Sequence, residues 1–163
     1  MITFRITLLY FFFIPFLMAF GQKEELISQR TALYKALSSD DNKLITSEIN
    51  HINETNLVEK EAYIGALLMK KASIVSNPKD KLSFFKQGHH QLEKAILGNE
   101  KNVEYHFLRL MIQENAPGIL GYKSNIGQDK EIIVSSFKTL PQEIQHAILD
   151  YSKKSKVLRG EHF

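Results

Sequence analysis

The sequence predicts an all-α protein of antiparallel helical hairpins behind a leader that is removed on export. Three observations carry that expectation. Apolar residues recur at helical spacing nearly everywhere after Gln22. No run alternates apolar and polar residues for long enough to make a strand. Residues 6–20 are almost wholly apolar, follow Arg5, and lead into small residues of the kind a signal peptidase cuts after.

The leader comes first. Ala19-Phe20-Gly21 places small residues at the −3 and −1 positions, so the cut falls between Gly21 and Gln22. As a helix, Ile6 to Gly21 would span about 24 Å, short of the ~30 Å hydrocarbon core of a bilayer. Pro15 also favours removal over anchoring. The expected layout is a signal peptide at 1–21 and a single helical domain at 22–163, periplasmic or secreted, with no stable membrane span after processing. The chain holds no cysteine, which excludes a disulfide scaffold and a lipidated N-terminal cysteine. Burial alone must hold the core.

The helices follow in order. Leu26, Leu33 and Leu37 form the stripe of a helix over 23–38, and SSDDN at 38–42 interrupts it with several capping residues. Ile45, Ile49 and Ile52 mark one face of a second helix, which NETN at 53–56 ends. A third, about 57–76, contains Ala62, Gly65 and Ala66, small enough for close helix contact. Asn77-Pro78 reads as a break, because the residue before proline is pushed out of the α region. The fourth helix is expected over about 81–97 with Gly98 closing it. The fifth spans about 102–115, with Val103, Phe107, Leu110 and Met111 on one side. The sixth, about 126–138, follows Asn125, an expected cap paired with Gln128. The seventh starts at Pro141 and carries Ile144, Ala147, Ile148 and Tyr151 on one face.

Helices of this size joined by short breaks pack as hairpins, in an α-solenoid or a compact bundle. GHHQLEKAILGNEKN at 88–102 resembles the second helix of a tetratricopeptide repeat running into the next repeat. Gly88 takes the small position, Leu92 the large apolar one and Ala95 the next small one. AYIGALL at 62–68 resembles a first helix with its glycine at Gly65. Glu100 stands where that family has proline, and Gly65 and Gly88 lie further apart than the repeat allows. The resemblance therefore covers tetratricopeptide-like hairpins over about 60–116. EYHFLRLMIQENAP…LGY, within about 60–138, further resembles small exported helical proteins of unknown function from Gram-negative bacteria. That resemblance implies periplasmic placement and brings no active site.

Within the fifth helix, Arg109 sits between Leu108 and Leu110, so its guanidinium needs acceptors away from water. Glu104, Gln113, Glu114 or the carbonyls of the 116–122 turn are the expected partners, and the expected role is to lock that turn. A groove-facing Arg109 clamping a ligand carboxylate is the alternative.

Motifs for chemistry are missing. There is no GxSxG elbow, no HExxH, no GxxxxGK[ST] loop and no GxGxxG. His89 and His90 are neighbours and diverge by about 100° on a helix, so they do not share an ion readily. Pairing either with Glu93 gives two ligands where zinc wants three or four, and His106 would have to join across a hairpin. No metal or other cofactor is expected, and no catalytic residue. The formal net charge is +3, an ordinary balance. The basic tail at Lys153, Lys154, Lys156 and Arg159 reads as a solvated helix end complementing the helix dipole. It has no interleaved aromatics, so nucleic acid is not an expected partner. What remains is a non-catalytic protein- or peptide-binding module displaying a concave helical face. Candidate contacts on that face are Tyr63, Lys70, His89, His90 and Arg109. The alternatives are a structural or envelope-associated bundle and a small hydrolase or ligand carrier.

Overall fold

Helical spacing becomes helix across the computed structural model, which describes residues 24–163. The signal peptide at 1–21 and the Gly21–Gln22 cut lie outside the described residues. Seven α-helices follow one another: α1 over 24–38, α2 Asn42–Glu54, α3 Lys60–Ile74, α4 Pro78–Gly98, α5 Val103–Asn115, α6 Ile126–Ser136 and α7 Gln142–Ser152. Short 3-10 turns occupy Gly118–Leu120, Phe137–Thr139 and Gly160–His162. Among the described residues there is no strand, and no helix is long and apolar enough to cross a membrane.

A helix start and a helix cap differ from expectation, each for a local reason. α4 begins at Pro78, not near 81, because Asn77 caps it: its Oδ1 accepts from the Lys79 amide at 2.9 Å. Pro78 then takes the first helical position, where the lost N–H has no intrahelical partner anyway. At α6, Asn125 makes no side-chain cap. Its Oδ1 is taken instead by Gln113 Nε2 at 3.3 Å and by Ser124 Oγ at 2.9 Å.

α3 and α4 meet through their glycines. A Cβ on Gly88 would lie 2.5 Å from the Gly65 carbonyl oxygen and 2.9 Å from the Met69 amide; one on Gly65 would lie 2.7 Å from the Leu92 amide. These are backbone atoms that cannot swing aside, so only glycine permits the approach. Gly65 meets Leu92, Met69 meets Gly88, and Lys71 lies over the Phe84 ring, so the two helices run in opposite directions along the seam. α2 meets α3 in the same sense, with Lys71 Nζ on Thr46 Oγ1 and Lys60 Nζ on the Asn53 and Thr55 carbonyls.

Buried side chains from all seven helices join in one apolar cluster, including Leu33, Ile45, Leu67, Leu92, Phe107, Ile133 and Ile148. α5 is its axis. Residues 104–111 are buried without exception, so this helix has no solvent face. The basic tail also does more than end a helix. Leu158 is fully buried in the cluster, while Ser155 Oγ and the Lys156 amide both donate to Glu114 at 2.6 Å. The chain after α7 is thereby strapped back onto the end of α5.

Candidate binding groove

A groove of about 790 Å³ opens between the end of α3, the start of α4 and the end of α5. Its floor is apolar. Leu37 from α1, Met69 and Ala72 from α3, and Met111 from α5 present buried side chains to it. Phe85 from α4 and Tyr151 from α7 add aromatic walls. The turn after α5 forms one lip. Ala116 ends the helix in an extended conformation, as Pro117 requires. Gly118–Leu120 then makes a single 3-10 turn, and Gly121 leaves it with φ 63°, a left-handed conformation that favours glycine. That geometry leaves Ile119 95% exposed and Leu120 37% exposed. Leu82 of α4, also at the mouth of the groove, is 49% exposed. Val58 and Leu97 are exposed singly elsewhere, but Leu82, Ile119 and Leu120 gather around one concavity, and it is clustering that marks a binding surface.

Three lysines edge the groove: Lys70, Lys81 and Lys154. Lys70 reaches Asp40 at 2.7 Å. Lys81 and Lys154 form no ion pair among the described residues. The one acid in the lining, Glu114, faces its own scaffold: Tyr151 hydroxyl donates to it at 2.8 Å beside the Ser155 and Lys156 donors. Burial pushes its carboxyl up, but these donors outweigh burial and hold it below the usual glutamate range. A smaller hollow of about 400 Å³ between α1 and α7 shares Met111, Tyr151 and Lys154 with the groove.

Two polar clusters lie behind this surface. In the first, Glu104 accepts Arg30 Nη2 at 2.9 Å and Nε at 3.1 Å, Tyr34 hydroxyl at 3.0 Å and Tyr63 hydroxyl at 3.1 Å. Burial pushes the Glu104 carboxyl up, against the opposing pull of Arg30 and the two phenols. In the second, Arg109 grips Asp129 with Nε at 2.8 Å and Nη2 at 2.7 Å, and Glu93 with Nη1 at 2.9 Å. His106 Nδ1 lies 2.7 Å from Asp129 Oδ1, and its Nε2 lies 2.8 Å from the Glu100 carbonyl. Both ring nitrogens face acceptors, which suits a doubly protonated imidazolium. The bond to Asp129 accordingly leads the causes that raise the His106 pKa. Burial pushes Asp129 up, but Arg109 and His106 outweigh it and hold the carboxyl below its ordinary range.

The five candidate contacts do not converge. Lys70 alone edges the groove. Tyr63 is 0% exposed and spends its hydroxyl on Glu104. His89 is half-buried, stacked on Phe85 and edge-on to Tyr122 at 4.6 Å between ring centroids. His90 is exposed on α4, outside the groove lining. Arg109 is buried, and its acceptors are Asp129 and Glu93 rather than Glu104, Gln113, Glu114 or the turn carbonyls. It reaches the 116–122 turn only through Glu93, which accepts the Tyr122 hydroxyl at 2.5 Å. His106 joins Asp129, not His89 or His90, and no three His, Asp or Glu side chains gather around a metal-sized gap among the described residues. Sequence reasoning missed the groove itself. Its signal was Ile119-Leu120 after Pro117-Gly118: two apolar residues in a turn too short to bury them.

No protein-family model, no curated protein and no solved structure matches this chain.

Proposed function

We propose that this protein is an exported, non-catalytic binding module that holds a protein or peptide in the α3–α4–α5 groove. The observation that carries the reading is the pairing of an apolar floor with exposed Ile119 and Leu82 at its mouth. Such side chains cost solubility unless something covers them. The buried ionic clusters do not compete as active sites. Each carboxylate in them is already matched by donors, and neither Glu104 nor Asp129 lines the groove.

The tetratricopeptide-like reading belongs here as well. It is supported by the Gly65–Gly88 approach, which places the two glycines where small residues let paired helices close up. Export rests on the leader sequence. If it is right, the mature chain begins at Gln22, and mass spectrometry of the protein recovered from its native compartment reads that terminus. A chain still carrying Met1 overturns the cleaved leader and favours a retained anchor.

The binding reading is tested by placing a photoreactive p-benzoylphenylalanine at Ile119 and, as a control, at exposed Glu131 on α6. The expected result is a reproducible adduct from position 119 alone, suppressed by Leu82→Asp. No adduct from 119 favours a structural bundle without a dedicated ligand.

A further inference from the structure

We propose that the occupant of the groove is an amphipathic helix of a partner protein, its apolar stripe flanked by aspartate or glutamate. The inference rests on the groove being the binding surface, as proposed above, and adds the chemistry of what fits it.

Charge complementarity selects acids. Lys70, Lys81 and Lys154 edge an apolar floor; Lys81 and Lys154 form no ion pair among the described residues, and Lys154 shares with Lys70 only the exposed Asp40. Glu114, the only acid in the lining, is turned toward Tyr151, Ser155 and the Lys156 amide, so it offers no matching site to a cation. Opposite charge across a rim steers the encounter and rejects wrong partners, while the apolar centre supplies the affinity.

The shape of the site selects a helix over a small amphiphile. Ile119 stands almost wholly in water on the lip. An acyl chain lying on the floor would leave that side chain wet. A helix laid in the groove would cover Ile119 and Leu82 together, with its i, i+3/i+4 and i+7 residues on the floor. Met69 and Met111 suit that use, since unbranched thioethers adjust to side chains of different shape.

Fluorescence anisotropy with the mature chain tests it. The probes are a labelled helical peptide of about four turns with a Leu/Phe stripe and Glu flanks, the same peptide with Lys flanks, and the Glu peptide with its stripe scrambled. The Glu-flanked probe should bind at least about tenfold tighter than the other two at low salt, with the advantage shrinking as salt screens it. Lys81→Glu with Lys154→Glu, both at exposed positions, should invert the preference between Glu and Lys flanks. Ile119→Asp should weaken both stripe-bearing probes.

Equal binding of the Glu- and Lys-flanked probes overturns the acidic partner and leaves the groove reading standing. Saturable uptake of a fluorescent fatty acid with no peptide binding overturns the helix. So does self-association in sedimentation that Ile119→Asp abolishes, because the occupant is then a second copy. If the photoreactive group at position 119 finds no partner and no probe binds, both readings fall together.

Discussion

Two carboxylates near α5 are almost fully enclosed, and each is forked by an arginine. Glu104, on α5 itself, is 1% exposed and meets one cation, Arg30, with two neutral phenols. Asp129, on α6, is 0% exposed and meets two positive groups, Arg109 and the His106 ring. Their proton affinities move in opposite directions. Burial wins at Glu104 and raises it; the paired cations win at Asp129 and lower it. Desolvation of a buried carboxylate is large enough that one arginine need not cancel it, and a second positive group tips the balance. One helix seam therefore stores a carboxylate that resists ionisation, and the next stores one that holds its charge.

The largest expected effect comes from removing Asp129. Asp129→Ala leaves Arg109 with Glu93 alone and His106 with the Glu100 carbonyl alone, and should cost about 3–5 kcal/mol, the range for breaking a buried pair from one side. Glu104→Ala should cost less, about 1–3 kcal/mol, since it relieves a carboxylate that burial already disfavours while leaving Arg30 and two phenols short of an acceptor. Urea unfolding near neutral pH measures both, read as shifts in midpoint at constant m. Equal or reversed losses break the comparison.

The pH dependence sharpens it. Asp129 has a depressed folded pKa, so its contribution is present above the ordinary aspartate value of 3.8 and is lost as pH falls through its lower folded value. Glu104 has a raised folded pKa. Its contribution is complete below the ordinary glutamate value of 4.5 and is lost as pH rises through the folded value. His106, also raised, contributes fully below 6.5 and loses that contribution as pH climbs past its folded value. Midpoints collected from acid to neutral should show Glu104→Gln gaining on the parent as pH rises above 4.5. Asp129→Asn should fall behind the parent above 3.8 and converge with it in stronger acid. A Glu104→Gln difference that shrinks toward low pH with the opposite sign, the parent ahead at neutrality by the ionisation term, removes burial as the dominant force at Glu104.

Much of the fold was legible and little of this electrostatics was. Ile45, Ile49 and Ile52, or Ile144, Ile148 and Tyr151, announce helices because a stripe is a local pattern. Gly65 and Gly88 announce close contact because few other uses explain a glycine inside a helix. The carboxylate partners are not local. Arg30 and Glu104 are 74 residues apart, Tyr63 and Glu104 are 41, and Arg109 and Asp129 are 20. Arg109 could be flagged as buried from Leu108 and Leu110, but nothing near it named Asp129 or Glu93. One clue was available. VEYHFLRLMIQ has apolar residues all round the helix, so α5 had to be central and every polar residue on it enclosed. That reasoning reaches Glu104 and His106 and goes no further. The groove was illegible for a different reason: its lining comes from α4 and from the turn after α5, among other segments, and only packing brings them around one hollow.

The smallest expected effects separate the phenols of the two seams. Tyr34 donates to Glu104 and Tyr122 to Glu93, each at the edge of its cluster. Glu93 remains partly accessible, with a side chain 26% exposed, so water can replace the Tyr122 hydroxyl there. Glu104 has no such access. Tyr34→Phe should therefore cost about 1–2 kcal/mol at neutral pH, while Tyr122→Phe should cost about 0.5–1 kcal/mol. The distinction tightens in a double-mutant cycle, where Tyr34→Phe and Glu104→Gln should couple because they share the one bond. If Tyr34→Phe costs the same in the parent and in the Glu104→Gln background, the hydroxyl is not answering the charge on Glu104. The Glu104 carboxyl would then be set by burial pushing it up against Arg30 and Tyr63 pulling it down, with no part for Tyr34.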